Sequence, residues 1–296
     1  MNSKISLIVP VFNESNEIDN FFNEIKICNF TLINEIIFVD DFSSDNSFNL
    51  LKNKIDELKI STLDVNLILL NNYKNRGYGF SIKKGVANSS NDSIAIIDLD
   101  RTYRIQDLNI IADKFINEYK LKYDLINGQR KIDTTNTSTL KIFGKIIINA
   151  IANFCFNEKI IDYNSGLRVF NKDKFSKHCH MMSNRFSLTT SMTITFLNEN
   201  YEIKFHEIKY EERTGQSKLK YSDFFKFLYT IFSLLFYYKP FKIIAPLVIP
   251  LFCAFIIFLV QDILSGNLTD KTILLFNFNF LSIILFFIID RINKIK

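Results

Sequence analysis

The sequence predicts an α/β protein: a mostly parallel β-sheet with flanking helices, followed by an interfacial helix and two C-terminal transmembrane helices. Three observations carry this. Short β-branched runs alternate with stretches of helical spacing in the N-terminal part, acidic residues gather where those runs end, and near residue 240 charge thins sharply. Strand–helix alternation with helices of about 10–15 residues is the pattern of βαβ units.

In chain order, the predicted strands are residues 5–10, 35–39, 65–70 and 93–97, and the predicted helices are 14–27, 45–58, 78–87 and 106–119. The strands are short apolar runs, as expected of a parallel sheet covered on both faces. Ligands of such sheets bind beyond the carboxyl ends of the strands. Residues 146–156 read as an amphipathic helix facing the core or a membrane. Residues 221–238 (YSDFFKFLYTIFSLLFYY) are densely aromatic, with charge only at Asp223 and Lys226. Tyrosine suits the headgroup level, so this stretch reads as an interfacial helix.

Residues 243–260 carry no charge. At about 1.5 Å per residue they reach roughly 27 Å, close to the thickness of a hydrocarbon core. A second run, 273–289, has Asn277, Asn279 and Ser282 as its polar groups. Either run alone has the length of a buried core helix. Two in tandem, joined by a short polar loop over 261–272, read as a membrane hairpin. Pro246 and Pro250 fall in the first span, where membrane helices tolerate proline. The expected organisation is a catalytic domain over 1–220, an interfacial helix over 221–240 and a hairpin over 241–296.

Lys239 and Lys242 precede the first span and Arg291, Lys294 and Lys296 follow the second, while the loop offers Asp262, Asp270 and Lys271. The positive-inside bias therefore places both termini and the N-terminal domain on the cytoplasmic side of the cell membrane. The apolar stretch in residues 1–11 is too short for a cleavable signal.

Composition excludes several classes. Of 296 residues, 48% are hydrophobic and 23% charged, with 8 Gly and 4 Pro, which rules out disorder and collagen-like structure. A net charge of +5 without a clustered basic face points away from nucleic acid. Cys28, Cys155, Cys179 and Cys253 lie far apart, so neither a disulfide framework nor a zinc ribbon is expected, and a reducing compartment fits. His178-Cys179-His180 has too few ligands for a metal cluster and reads as loop. The hydroxyls of residues 187–191 have no histidine placed to form a nucleophilic triad.

The first strand runs into Pro10-Val11-Phe12-Asn13-Glu14, the second into Asp40-Asp41-Phe42-Ser43-Ser44-Asp45 and the fourth into Asp98-Leu99-Asp100. Singly, each acid has a structural use: Asp45 caps the next helix, and Asp40 or Asp41 closes a turn. As a set, clustered carboxylates need a cation or donors to offset their repulsion. Asp98 and Asp100 flank an apolar residue where a strand opens into a loop, so both can turn toward one ion. An all-oxygen pair suits Mg²⁺ or Mn²⁺. Asn75-Arg76-Gly77-Tyr78-Gly79 has the composition of a phosphate loop, but neither the G-x-G-x-x-G spacing nor the Walker lysine. Its glycines are expected to let the backbone turn tightly near a ligand.

These pieces continue with Gly128-Gln129-Arg130, Asp162-Tyr163-Asn164-Ser165-Gly166-Leu167-Arg168 and Arg213-Thr214-Gly215-Gln216-Ser217-Lys218. In this order they resemble family 2 glycosyltransferases, within them the polyprenyl-phosphate sugar transferases of the dolichyl-phosphate mannosyltransferase type with a C-terminal membrane hairpin. The resemblance implies a GT-A fold, a nucleotide-sugar donor and inverting transfer of one sugar to a polyprenyl phosphate. It implies that Pro10, Phe12, Glu14, Asp40, Asp41, Asn75 and Gly77 bind the donor and that Asp98 and Asp100 hold the metal. Arg130 and Asp162 would join those acids in the catalytic centre, and Arg130, Arg213, Ser217 and Lys218 would meet the acceptor phosphate. Two positions depart from the family pattern: Phe42 stands where the family usually has Gly, and Thr102 where it often has Gln.

The chemistry is consistent with that resemblance. Expelling a nucleoside diphosphate requires positive charge on the leaving oxygens, which a divalent ion supplies. A phosphate acceptor, with a second pKa of about 6, is largely ionised near neutral pH and needs no general base. It needs cationic capture, which Arg130, Arg213 and Lys218 offer. The rival is transfer to a saccharide or protein hydroxyl, with Asp162 as base. Asp162 has a further possible use in orienting Arg168 or the acceptor. A processive synthase is disfavoured because a chain without Trp has no Q-x-x-R-W motif, and a binding module without turnover is disfavoured by the intact aspartate pair.

Overall fold

Residues 5–11 are buried along their whole length, and this fixes the centre of the fold. The computed structural model describes residues 4–28, 30–59, 65–118, 122–130, 162, 164–185, 187–209 and 221–294. Strands β1 (Ile5–Val11), β2 (Ile33–Asp40), β3 (Asn66–Asn71), β4 (Ser93–Ile96), β5 (Leu125–Arg130), β6 (Arg168–Asn171) and β7 (Ile203–Ile208) form one sheet in the order β3-β2-β1-β4-β6-β5-β7. The pairs β1–β2, β2–β3, β1–β4 and β5–β7 are parallel, and β6 runs antiparallel to both β4 and β5. The first four strands lie where the sequence predicts them. Strands β5, β6 and β7 were not foreseen.

Alternation along each strand sends side chains to two separate cores. On one face Leu7, Val9, Ile36 and Phe38 pack with Phe21, Phe22 and Ile25 of α1 (Ile18–Ile27), Leu51 and Ile55 of α2 (Ser47–Lys59), and Leu108 and Ile111 of α4 (Ile105–Asp113). On the other, Ile8, Ile37, Ile94 and Ile96 pack with Ile82 and Val86 of α3 (Tyr78–Ala87), Phe175 of α5 (Lys172–His178), and Met192 and Phe196 of α6 (Leu188–Asn198). Both faces are therefore dry, which is why the strands lack a polar side. Phe22 stacks on Phe38 with ring centroids 5.2 Å apart, tying α1 to β2.

Pro10 is buried inside β1, a position that proline usually avoids because it gives no N–H to the ladder. Pairing with β4 ends at Ile8↔Ile96, and the oxygen of Ile8 takes the last bond on that side, from Ile97 N at 3.3 Å. The missing donor of Pro10 falls just past that point, so the ladder loses nothing.

The described residues divide into two compact units, one reaching Thr230 and the other comprising the C-terminal helices from Ile231 on. Helix α7 (Tyr221–Tyr238) has the bounds expected for the interfacial helix, with Tyr229 and Phe232 exposed and Ile231, Leu234 and Leu235 buried. Helices α8 (Pro240–Ser265) and α9 (Asp270–Lys294) pair in the second unit, and both are long and apolar enough to cross a membrane. Helix α8 continues through Pro246 and Pro250. The loop is shorter than the expected 261–272. Gly266 ends α8 in a left-handed conformation (φ 68°), and Asp262 Oδ2 accepts from the backbone N (2.7 Å) and hydroxyl (2.9 Å) of Thr269. The expected amphipathic helix at 146–156 lies outside the described residues.

Candidate active site at the carboxyl edge of the sheet

Three residues that are not glycine take positive φ in successive loops at one edge of the sheet: Asn13 (53°) after β1, Phe42 (62°) after β2 and Arg101 (60°) in the loop after β4. Left-handed backbone at non-glycine residues costs about 1–3 kcal/mol each and gathers where function demands a particular chain path. The surroundings hold these turns in place. Asn13 Oδ1 accepts from Ser44 N at 2.7 Å, and the Arg101 guanidinium donates to Glu24 Oε1 at 2.8 Å. The turn at Asn13 also explains why α1 starts at Ile18 rather than at residue 14.

The first two strand ends are laced together. Asp41 N donates to Val11 O (2.8 Å), Asn13 N to Ser43 Oγ (3.0 Å) and Glu14 N to Ser47 Oγ (2.9 Å). Asp45 caps the start of α2 as expected, accepting from Ser47 N and Oγ at 3.0 and 2.6 Å. The serine bonds, with others from Ser15, hold its carboxyl below the ordinary value against the opposing effect of burial.

The paired acids have separate duties. Asp40 is buried and closes its own turn, accepting from Ser43 N (3.1 Å) and Ser43 Oγ (2.6 Å). These bonds shape the loop that follows β2. Asp41, also buried, reaches across to the next loop and accepts from Asn72 Nδ2 (2.9 Å), Arg76 N (2.8 Å) and Gly77 N (2.7 Å). It thereby fixes the segment that carries Asn75 and Gly77. Gly77 has φ 98°, and a Cβ there would lie 2.7 Å from Arg185 Cδ. The close approach expected of these glycines is thus to the chain's own 183–185 segment. Arg185, which sequence reasoning missed, donates to Asn75 Oδ1 at 3.2 Å. Pro10 is buried, Glu14 is half-buried and Phe12 is 37% exposed.

The third strand end carries Asp98 and Asp100, both partly exposed. Tyr78, the first residue of α3, donates its hydroxyl to Asp98 Oδ1 at 2.9 Å. Burial, reinforced by the Asp98 charge, keeps the Tyr78 phenol well above its usual pKa, so it stays a donor. A Cβ on Gly166 would lie 2.2 Å from Asp98 Oδ2, so this carboxylate has its position only because residue 166 has no side chain. The Gly166 N–H donates to the Tyr103 hydroxyl at 2.7 Å. Asp100 Oδ1 accepts from Thr102 N (3.2 Å) and Thr102 Oγ1 (2.7 Å), so the departure from the family's Gln serves to brace the second aspartate.

Beside them, Asp162 is 2% exposed and forms a two-pronged ion pair with Arg130: Nε to Oδ2 at 2.7 Å and Nη2 to Oδ1 at 2.8 Å. Burial acts to raise the Asp162 pKa, but the Arg130 bonds and charge, helped by Asn164 N and Arg130 N, outweigh it and hold the carboxyl below its ordinary value. A general base near neutrality needs the opposite shift. Arg168 is fully buried and donates to Ser165 O and Thr193 Oγ1, both at 2.8 Å. Burial lowers its pKa to about 10, partly offset by the charges of Tyr78 and Asp162, and it remains cationic at neutral pH. Gly166, which seats Asp98, follows Asp162 by four residues, so one short segment carries both contacts.

Among the described residues no group of three or more His, Cys, Asp or Glu side chains could hold a metal. Two hydroxyl-braced carboxylates nonetheless fit an ion such as Mg²⁺ or Mn²⁺, which takes few protein ligands and completes its shell with water and phosphate oxygens. His178-Cys179-His180 is not loop: His178 ends α5, contacts the Tyr201 hydroxyl at 3.0 Å and leads into a 3₁₀ turn. Cys28, Cys179 and Cys253 are free thiols. The expected acceptor residues Arg213, Ser217 and Lys218 lie outside the described residues.

Comparison with known proteins bears on this geometry. The undecaprenyl-phosphate 4-deoxy-4-formamido-L-arabinose transferase of Proteus mirabilis (strain HI4320) is 25% identical over 238 residues, covering 79% of this chain and 68% of that protein. The enzyme of the same name from Yersinia pestis bv. Antiqua (strain Angola) is 26% identical over 238 residues, covering 78% and 67%. Among solved structures, glucosyl-3-phosphoglycerate synthase from Mycobacterium tuberculosis in complex with Mn²⁺, uridine-diphosphate and glucosyl-3-phosphoglycerate superposes with a TM-score of 0.60 at 12% identity, covering 78% of this chain and 80% of that one. The same enzyme with Mg²⁺ and uridine-diphosphate gives 0.59, also at 12% identity, with 78% and 79% covered. The fold is therefore the GT-A-type fold that the resemblance implies. Residues 6–179 match the family described as Glycosyl transferase family 2, and the chain belongs to that family.

Proposed function

We propose that this glycosyltransferase moves a single sugar, with inversion, from a nucleotide-sugar donor to a polyprenyl phosphate at the cytoplasmic face of the membrane. The observation that carries the proposal is the Asp98 carboxylate seated on Gly166 at the carboxyl end of β4, four residues along the chain from the Asp162 that pairs with Arg130. That arrangement puts an acidic, metal-suited corner next to a cation held in a fixed direction. The names of the relatives support a polyprenyl-phosphate acceptor, and the Mn²⁺, Mg²⁺ and uridine-diphosphate in the solved neighbours support a divalent ion and a nucleoside diphosphate.

Asp98 and Asp100 would hold Mg²⁺ or Mn²⁺, which when bound supplies positive charge to the leaving diphosphate. Tyr78 and Thr102 keep the two carboxylates aimed. Asp41 sets the loop of Asn75 and Gly77 against the donor. Arg130, oriented by Asp162, and Arg213, Ser217 and Lys218 would receive the acceptor phosphate, whose own charge makes it the nucleophile. In this proposal residues 1–220 form the catalytic domain, 221–240 lie along the headgroups and 241–296 span the bilayer, so that the basic 213–218 segment meets lipid phosphate at its natural depth.

The test supplies membranes containing the protein with radiolabelled nucleotide sugars. Label is expected in a chloroform-extractable, mild-acid-labile product, and Asp100→Asn should lower its formation at least 100-fold. Label found only in polymer or protein would refute the lipid acceptor.

A further inference from the structure

Phe42 is the most anomalous residue of the carboxyl edge. It holds φ 62°, a conformation uncommon for any non-glycine residue and costly for a bulky one, yet its side chain is 55% exposed. An exposed phenyl ring in strained backbone gains little from packing within the fold, so folding alone does not account for it. The position is also fixed tightly. Flanking bonds from Asp41 N to Val11 O (2.8 Å) and from Asn13 N to Ser43 Oγ (3.0 Å) hold residues 12 and 42 beside each other on adjacent strand ends. Phe12, on the neighbouring strand end, is itself 37% exposed.

Their place relative to the acids defines what they can meet. Only β1 separates β2 from β4 in the sheet, so at a strand spacing of about 4.8 Å the ends of β2 and β4 lie about 10 Å apart. A ribose and two phosphates in succession span a similar length, which would put a flat base over Phe42 when the diphosphate is at Asp98 and Asp100. We propose that Phe42 is a donor-recognition residue whose ring stacks on the nucleobase, the left-handed backbone being retained to present it. This rests on the nucleotide-sugar donor proposed above.

The test uses the full chain in detergent with Mn²⁺, titrated calorimetrically with UDP, GDP, CDP and ADP, and follows the tightest ligand through two variants. Phe42→Asn fits left-handed backbone without a ring. It should keep or raise the melting temperature and weaken nucleotide binding about 5- to 20-fold, as stacking energies imply. Phe42→Tyr keeps a ring and should bind within twofold of the unaltered protein. Inorganic pyrophosphate, which has no base, should bind equally to all three. Nucleotide binding by Phe42→Asn within twofold of the unaltered protein overturns the inference and leaves the donor proposal standing, and so does an equal loss of pyrophosphate binding. Failure of the unaltered protein to bind any of the four nucleotides overturns both.

Discussion

Asp40, Asp41, Asp98 and Asp162 are the same residue type, and what separates them is who donates to each. Asp40 accepts from Ser43 within its own turn, which the local sequence made legible. Asp41 takes donors from Asn72, Arg76 and Gly77, and Asp162 from Arg130, all more than 30 residues away. Such partners exist only after folding, so the sequence showed that these acids were important but left their duties open. For Asp162 the pairing has a consequence for stability. Its pKa is depressed on folding, so its contribution is fully present above its ordinary value of 3.8 and is lost as pH falls through the lower folded value. Asp162→Asn removes the buried charge that meets the Arg130 guanidinium. It should cost about 3 kcal/mol at pH 7 in chemical denaturation. The difference from the unaltered protein should begin to shrink below about pH 3.8 and close once pH falls past the lower folded value, where both carry a neutral side chain. A difference that does not change between pH 7 and pH 3 would contradict the assignment.

The elements show which parts of the sheet a sequence can announce. Strands β1, β2 and β4 were legible because both faces are buried, and the edge strand β3 because it too has an unbroken apolar run, Leu67 to Leu70. Strand β7, with the sequence IKFHEI, is only partly buried, and β6 is four residues long, so neither gave a periodic signal. Yet β6 is decisive for the site. It pairs antiparallel with β4 through Ile96↔Arg168, and the turn leading into it lays Gly166 against Asp98. Gly166→Ala pushes a methyl group to within about 2 Å of a carboxylate oxygen, a contact relieved only by moving Asp98. Sugar transfer should fall at least tenfold in this variant, with a circular dichroism spectrum unchanged from the original. Full activity would show that Asp98 is free to shift without consequence.

At the scale of the whole molecule, the change of composition near residue 240 announced both apolar helices. Side chains such as Leu247, Ile257, Leu274 and Leu285 stand 55–71% exposed, as expected of surfaces that meet lipid rather than water. The hairpin loop contracted to Gly266–Thr269 because Asp262, expected as a loop charge, instead caps that turn. In the proposed arrangement this member of glycosyl transferase family 2 meets an anionic lipid acceptor at the membrane, and the choice between a phosphate and a hydroxyl nucleophile decides the account. The most direct measurement gives the purified protein, with Mn²⁺ and its nucleotide sugar, either undecaprenyl phosphate or undecaprenol, and weighs the lipid products by mass spectrometry. The account predicts a glycosylated product from the phosphate, at least 100-fold more than from the alcohol. Equal glycosylation of the two lipids, or transfer to the alcohol alone, would contradict it.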